Sequence, residues 1–345
     1  MVPHSPGCLP SSGPVSVHGP GEARGVIYQL SMPILYTNTR NPHHDYRSRC
    51  IYLITINKAD YIPPFSMCVK GAPGSIPGVK YFEIGRAICE QLKQIPLQYP
   101  EAYLKKYIVM PDPIHFIIFI TKQVDYHLGE IIRSFKGGVT RCFSYGSIFA
   151  DDYHDRICRY EGQLERMKNY VIENPSRWFI RKEGQRYFNN PHLINLYGEN
   201  YVAYGNFLLL KNPDISAVKV SRKDTSEILA TKQMDWIETI RGNGVLVSPF
   251  IKEEEKTVRD RGMAEGANLI YITRNPITGP RWKPAGEAMT KLCSEGRLLI
   301  LSTQKGADGS KLNRQEAEKM NLLAGQLSQA PPDNLILKPI SWERR

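Results

Sequence analysis

Apolar positions along the first half of this chain change period several times, and each change marks an element. Residues 51–57 (IYLITIN) are rich in β-branched side chains and predict a strand, and the DYIPPF that follows predicts a loop. Between Lys80 and Pro100 the apolar positions Ile84, Ile88 and Leu92 recur every four residues, the spacing of one helix face. A long β-rich run follows, YLKKYIVMPDPIHFIIFIT, split in its middle by Pro111 and Pro113. LGEIIRSFKGGVTRCF then predicts a basic helix, and YHDRI a short strand or loop. In EGQLERMKNYVIENP, Leu164, Met167 and Val171 lie on one stripe, which predicts a strong helix with Asn174-Pro175 as its stop.

The β-α-β-α-β-α order predicts an α+β domain over residues 47–182, a ferredoxin-like antiparallel sheet with helices. A polar, Gly-containing stretch at 183–204 predicts a linker. Beyond it come four short apolar runs, AVKVS (217–221), GVLVS (244–248), NLIYIT (268–273) and RLLIL (297–301). Stretches of helical composition such as TSEILATKQMDWIETIR and KEEEKTVRDRGMAEG separate them. Strand–helix alternation with near-continuous apolar strands predicts a parallel sheet, here an α/β Rossmann-like domain at 205–330 with a tail at 331–345. The Pro-, Gly- and Ser-rich start cannot bury a core, so residues 1–46 are expected to be disordered or an upstream extension. No internal repeat of 20–50 residues is evident.

Composition narrows the partner. With 45 Lys and Arg against 34 Asp and Glu, the formal charge of +11 favours a polyanion, nucleic acid ahead of a membrane surface. The longest dense apolar run, Phe116–Ile120, is far short of a membrane span, and the first residues lack a basic start followed by an apolar core. Seven cysteines with no CxxC pair predict reduced thiols, no structural zinc, and a cytoplasmic protein.

The chemistry-bearing residues are few. Tyr170 and Asn174 lie four apart on one helical face, presenting a phenol beside an amide oxygen. A phenol attacks a phosphodiester when a metal or a basic group withdraws charge from the phosphate, and an amide oxygen is a hard ligand for Mg²⁺ or Mn²⁺. By itself the pair reads equally as half-buried packing and a helix stop. His115 within an apolar strand, and His154 beside Asp155, are compatible with structural histidines. No GxxxxGK[ST] loop and no local Cys–His or Ser–His–Asp signature occurs.

Taken together, KYIVMPDPIHFIIFI, GEIIRSFKGG, YHDRI and QLERMKNYVIENPSRW stand in the order seen in REP-associated tyrosine transposases, single-tyrosine members of the HUH superfamily, and residues 47–182 resemble that family. The resemblance implies that Tyr170 is a nucleophile. It also implies that His115 and Asn174 bind a divalent metal, Mg or Mn. The family's strand motif resembles MPNHxH, whose two His face one side because residues two apart on a strand point the same way. Here the first of them is replaced by Pro113, which cannot coordinate metal. Asp112 is a candidate stand-in ligand, and the competing reading makes it a loop-capping carboxylate.

The reaction so implied is cleavage and rejoining of single-stranded hairpin DNA through a 5′-phosphotyrosine link, that is, DNA transposition. Arg133, Lys136, Arg141, Arg156, Arg159 and Arg166 are candidate DNA-backbone contacts, interleaved with Phe135, Phe143 and Tyr153 as candidate base-stacking rings. The C-terminal half resembles, more weakly, the Rossmann-like DNA-processing protein A family. It lacks a Gly cluster after Val247, although a helix starting near Ile251 would offer amide N–H groups to a phosphate. Two further readings stay open: a hairpin-DNA-binding protein whose catalytic site has decayed, and a C-terminal domain that senses a ligand.

Overall fold

A computed structural model describes residues 40–41, 43–71, 77–183, 188, 190–304, 311–332 and 335–341. The expected N-terminal extension therefore lies almost wholly outside the described residues.

Four strands form an antiparallel sheet. They are β1 (Cys50–Ile56), β4 (Ala102–Val109), β5 (Ile114–Ile120) and β6 (His154–Ile157), in the spatial order β4-β5-β1-β6. A separate hairpin, β2 (Ser66–Val69) and β3 (Gly78–Tyr81), precedes helix α1 (Glu83–Gln98), and helix α2 (Leu128–Thr140) follows β5. Strand alternation assigns the two faces. Tyr52, Ile54 and Ile56 of β1 and Ile114, Phe116, Ile118 and Ile120 of β5 pack in one core with Ile88 and Leu92 of α1 and Ile131, Phe135 and Val139 of α2. Leu53 and Ile117 point to the other face, where Met167 and Val171 of helix α3 (Gln163–Glu183) cover them. Because helices cover both faces, the central strands are apolar at nearly every position, and His115 stands out within β5.

Helix α3 does not stop at Asn174-Pro175 but runs on to Glu183 with Pro175 inside it. A proline in a helix interior removes one N–H and crowds the carbonyl four residues back. Here Pro175 is buried, and the packing of Met167 and Val171 on the sheet outweighs the local signal. The continuation matters for function, because it carries Arg177, Trp178 and Arg181 past the expected helix end.

The segment expected to be a linker is a β-hairpin. Strands β7 (His192–Leu196) and β8 (Glu199–Gly205) pair antiparallel across a two-residue turn, with Tyr197 at φ 51° and Gly198 at φ 84°. Positive φ at both turn residues matches the twist of a tight hairpin, and a glycine in only one of the two positions left a weak signal. β8 then pairs antiparallel with β12 (Leu298–Ser302). Where that pairing ends, Gly205 adopts φ 104° and passes so close to the Leu298 carbonyl that a β-carbon would meet it.

The second sheet is therefore mixed, in the order β13-β7-β8-β12-β11-β10-β9. Its parallel part is β9 (Ile215–Ala217), β10 (Val245–Ser248), β11 (Asn268–Thr273) and β12, and β13 (Leu337–Pro339) closes the far edge beside β7. Helices α4 (Ser226–Arg241), α5 (Glu253–Ala264) and α6 (Glu287–Ser294) cover one face through Trp236, Ile240, Val258 and Leu292. Helix α7 (Arg314–Gln329) covers the other through Met320, Leu323 and Leu327. The strand expected at 217–221 lies earlier. Pairing with β10 ends at the Val218 N–H, which donates to Val247, and the Val220 N–H donates instead to Glu255 Oε1 at 3.1 Å.

Leu35–Arg345 clusters as one compact unit, so the two sheets share an extended boundary. Among the described residues no helix is long and apolar enough to cross a membrane. The six described cysteines are unpaired.

Candidate active site

The face of the first sheet that α3 covers holds the site. His115 in β5 and Thr55 in β1 are cross-strand partners, and Thr55 Oγ1 lies 2.9 Å from His115 Nδ1. Above them, Tyr170, Asn174, Arg177 and Arg181 project from one face of α3, since steps of four, three and four residues return to the same side of a helix. The Tyr170 ring meets the His115 ring edge to face, with centroids 5.3 Å apart and planes at 80°. Its face is covered by the Arg177 guanidinium, 5.0 Å from the ring centroid.

Tyr170 opens into two cavities. One, of about 320 Å³, is lined by Thr55, Asp112, His115, Tyr170, Asn174 and Arg181, among others. The second, of about 170 Å³, shares Tyr170 and Arg181 and adds Arg177. Both are walled on their far side by the second half of the chain, which supplies Asn212 and Asn243 to each.

The electrostatics are set by burial and by arginine. His115 is 4% exposed. Desolvation, reinforced by the positive charges of Arg181 and Arg177, pushes its pKa down to about 3, so the imidazole is neutral near neutral pH. Asp112 sits in the β4–β5 loop with Oδ1 accepting from the Lys58 N–H at 3.0 Å. Burial raises its pKa, and that hydrogen bond works in the opposite direction. Asn174 is buried, and its Nδ2 donates to the Tyr170 carbonyl at 2.9 Å.

The residues expected to hold Mg or Mn thus meet in one cavity, but their donors do not fit a divalent cation. Hard cations take several oxygen ligands and a net negative surround. This cavity is lined by two imidazoles, His115 and His154, and by the carboxylates of Asp112, Asp155 and Asp214, but Asp155 is paired with Arg40, Asp214 with Arg156, and Asp112 accepts from the Lys58 N–H. Among the described residues no group of three or more His, Cys, Asp or Glu side chains gathers to hold a metal. The charges that reach His115 are guanidiniums.

The basic residues expected on DNA separate into four kinds. Arg156 reaches across to the second half, 2.6 Å from Asp214, and Arg159 pairs with Asp235 at 2.9 Å and with Glu238. Lys136 donates to the carbonyls of Ala150, Asp151 and Asp152 at 2.7, 2.9 and 3.1 Å, pinning the loop before β6. Arg166 lies over the Tyr160 ring at 4.8 Å. Arg133 and Arg141 are exposed on α2, across the sheet from Tyr170. The expected stacking rings are not available as such. Phe135 and Tyr153 are buried in the first core and Phe143 packs against it; Phe135 is part of the apolar stripe of α2 that faces the sheet.

His154 borders the same cavity, and its neighbour Asp155 is paired with Arg40 at 2.6 Å. The start of α5 is closed to an added anion. The Glu255 carboxylate accepts from Ile251 and Lys252 N–H at 2.9 and 3.2 Å, filling the place a phosphate would take. Thr55, Arg177 and Arg181 were not among the expected site residues. Their signals were present: Arg177 and Arg181 continue the Tyr170–Asn174 face, and Thr55 shares the strand parity of Leu53.

Comparison with known proteins adds little function. No family model matches the chain. A protein of Haemophilus influenzae (strain ATCC 51907 / DSM 11121 / KW20 / Rd) described as uncharacterized is 24% identical, over 40% of this chain and 87% of its own length. Among solved structures, a REP-associated tyrosine transposase bound to a REP hairpin aligns over 40% of this chain and 74% of that one, at 12% identity and a TM-score of 0.33. A likeness of that size carries no argument about this chain.

Proposed function

We propose that this chain is a transposase-class protein that binds single-stranded or hairpin DNA at the Tyr170 cavity and cleaves it with Tyr170 as nucleophile. The observation that supports this reading is the convergence of His115, Tyr170 and Asn174. Three residues from two distant segments, singled out before any geometry, line one cavity with the two rings 5.3 Å apart.

Tyr170 Oη attacks the phosphorus of a phosphodiester, an O–P bond to the phenol forms, and the bond from phosphorus to the 3′ oxygen breaks. The phenolic proton passes to water, and the departing 3′ oxygen takes one up as a 3′-OH. One phosphate ester is exchanged for another, so the released hydroxyl can attack the phosphotyrosine in turn and rejoin strands without an external energy source. His115 is neutral and held by Thr55, so it orients the Tyr170 ring.

The replacement of the family's first His by Pro113 favours a second reading, a DNA-binding protein that no longer cleaves. The two are separated by incubating the protein with labelled hairpin DNA beside a Tyr170→Phe control. A denaturation-resistant protein–DNA band that the Phe variant lacks is the expected result. Retention without a covalent band would leave the binding reading, and failure to retain hairpin DNA at low salt would overturn both.

A further inference from the structure

We propose that Arg181, backed by Arg177, binds the phosphate beside Tyr170 in the role a divalent metal would otherwise fill, so that nucleic-acid binding and cleavage here are metal-independent. This rests on the reading of Tyr170 given above.

Arg181 lines both cavities that meet at Tyr170, so a strand running from one to the other must pass it. It is exposed at the cavity mouth, with its guanidinium available to a ligand. Arg177 is the opposite kind of arginine, 5% exposed. Its Nη2 donates to the Lys211 carbonyl at 2.9 Å, and its Nη1 lies 3.4 Å from the Leu208 carbonyl. Those contacts hold the guanidinium flat over the Tyr170 ring, while its buried Nε has no protein partner. A buried guanidinium with an unpaired N–H at the wall of a cavity is a feature that an oxyanion would satisfy.

The charge balance points the same way. Glu173 faces both Arg177, at 3.4 Å, and Lys211, at 3.1 Å. Glu173 is thus shared between two cations and does not neutralise both, and Arg181 adds a further positive charge where the two cavities meet. Such a surround draws in a phosphodiester and repels a divalent cation, in agreement with a donor set that does not fit metal. A planar guanidinium also meets two phosphate oxygens at once, which a single imidazole cannot do.

The test uses the full chain and a short fluorescent single-stranded oligonucleotide, read by anisotropy in EDTA and in Mn²⁺. Wild type, Arg181→Ala, Arg181→Lys and Tyr170→Phe are compared. Arg181 is exposed, so its replacement leaves the fold intact, which circular dichroism verifies. Affinity should be the same within about twofold with or without metal, and Arg181→Ala should weaken it by about tenfold or more. Arg181→Lys should recover part of the loss, and the salt dependence of Arg181→Ala should fall by about one phosphate contact. Tyr170→Phe should lose any covalent band, and in wild type that band should form in EDTA. Binding or cleavage that requires Mn²⁺, with Arg181→Ala equal to wild type, would overturn the inference while leaving Tyr170 as nucleophile. No binding under any condition would remove both.

Discussion

His115 is a buried histidine in the lining of the candidate site. Its imidazole is neutral because it is desolvated and faces guanidiniums, and it keeps that state by holding its pKa near 3. A histidine in the unfolded chain protonates near pH 6.5. Between those values the unfolded state binds the extra proton, so the stability due to a neutral His115 is complete above about pH 6.5 and is lost as the pH falls toward 3. One proton corresponds to about 1.4 kcal/mol per pH unit. Urea denaturation at pH 4.5 and 6 should therefore show a steeper loss in wild type than in His115→Leu, by up to about that amount per unit. Equal slopes would mean that His115 is solvated and not buried against α3. At this scale the sequence was informative about identity: Tyr170, Asn174 and His115 were all legible as candidates. The commitments of their polar atoms were not, because whether an amide or carboxylate is free depends on which backbone group lies opposite it.

At the scale of the element, helix α2 and helix α3 pack on opposite faces of the same sheet. Both are basic, and charge alone does not say which faces the ligand. Arg133 on α2 and Arg141 at its C-cap lie across the sheet from Tyr170, so on the reading proposed above they would meet only a ligand that extends beyond the cavity. An Arg133→Ala, Arg141→Ala double variant is expected to bind a short unpaired oligonucleotide as wild type does. The same variant should bind a hairpin more weakly, with the salt slope reduced by about two contacts. Equal loss for both ligands, measured by anisotropy across a salt series, would contradict this expectation. Helix α3 also shows where pattern reading failed. Asn174-Pro175 resembles a stop, yet the helix continues because tertiary contacts on both sides of Pro175 outweigh one missing hydrogen bond.

For the whole molecule, the decisive feature is the boundary between the two sheets. Arg156 from β6 pairs with Asp214 just before β9, and Arg159 pairs with Asp235 and Glu238 of α4. Asp214 is largely but not wholly buried, and desolvation raises its pKa against the opposing pull of Arg156. A β-carbon at residue 242 would meet the Arg156 guanidinium, so a larger residue there would displace it from this position. Arg156→Ala is expected to cost about 3–5 kcal/mol, since it strands a buried carboxylate, and adding Asp214→Asn should return part of that. Chemical denaturation of the two variants checks it; a change under 1 kcal/mol would show that Arg156 is solvated and free for a ligand, as its sequence position alone suggests.

The sequence by itself determined the first α+β segment, the strand–helix alternation of the second, and the candidates Tyr170, His115 and Asn174. Each is written in local periodicity or in a contiguous motif, and both survive any rearrangement at long range. Only the tertiary structure decided that 183–204 holds strands of the second sheet, because β8 joins that sheet through a partner almost a hundred residues away in β12. It also decided that Arg156 and Arg159 serve ion pairs and Lys136 a loop anchor, while Arg177 and Arg181 share a cavity with the tyrosine. A guanidinium's role is set by what lies within a few ångströms of it, and that distance is a property of the fold.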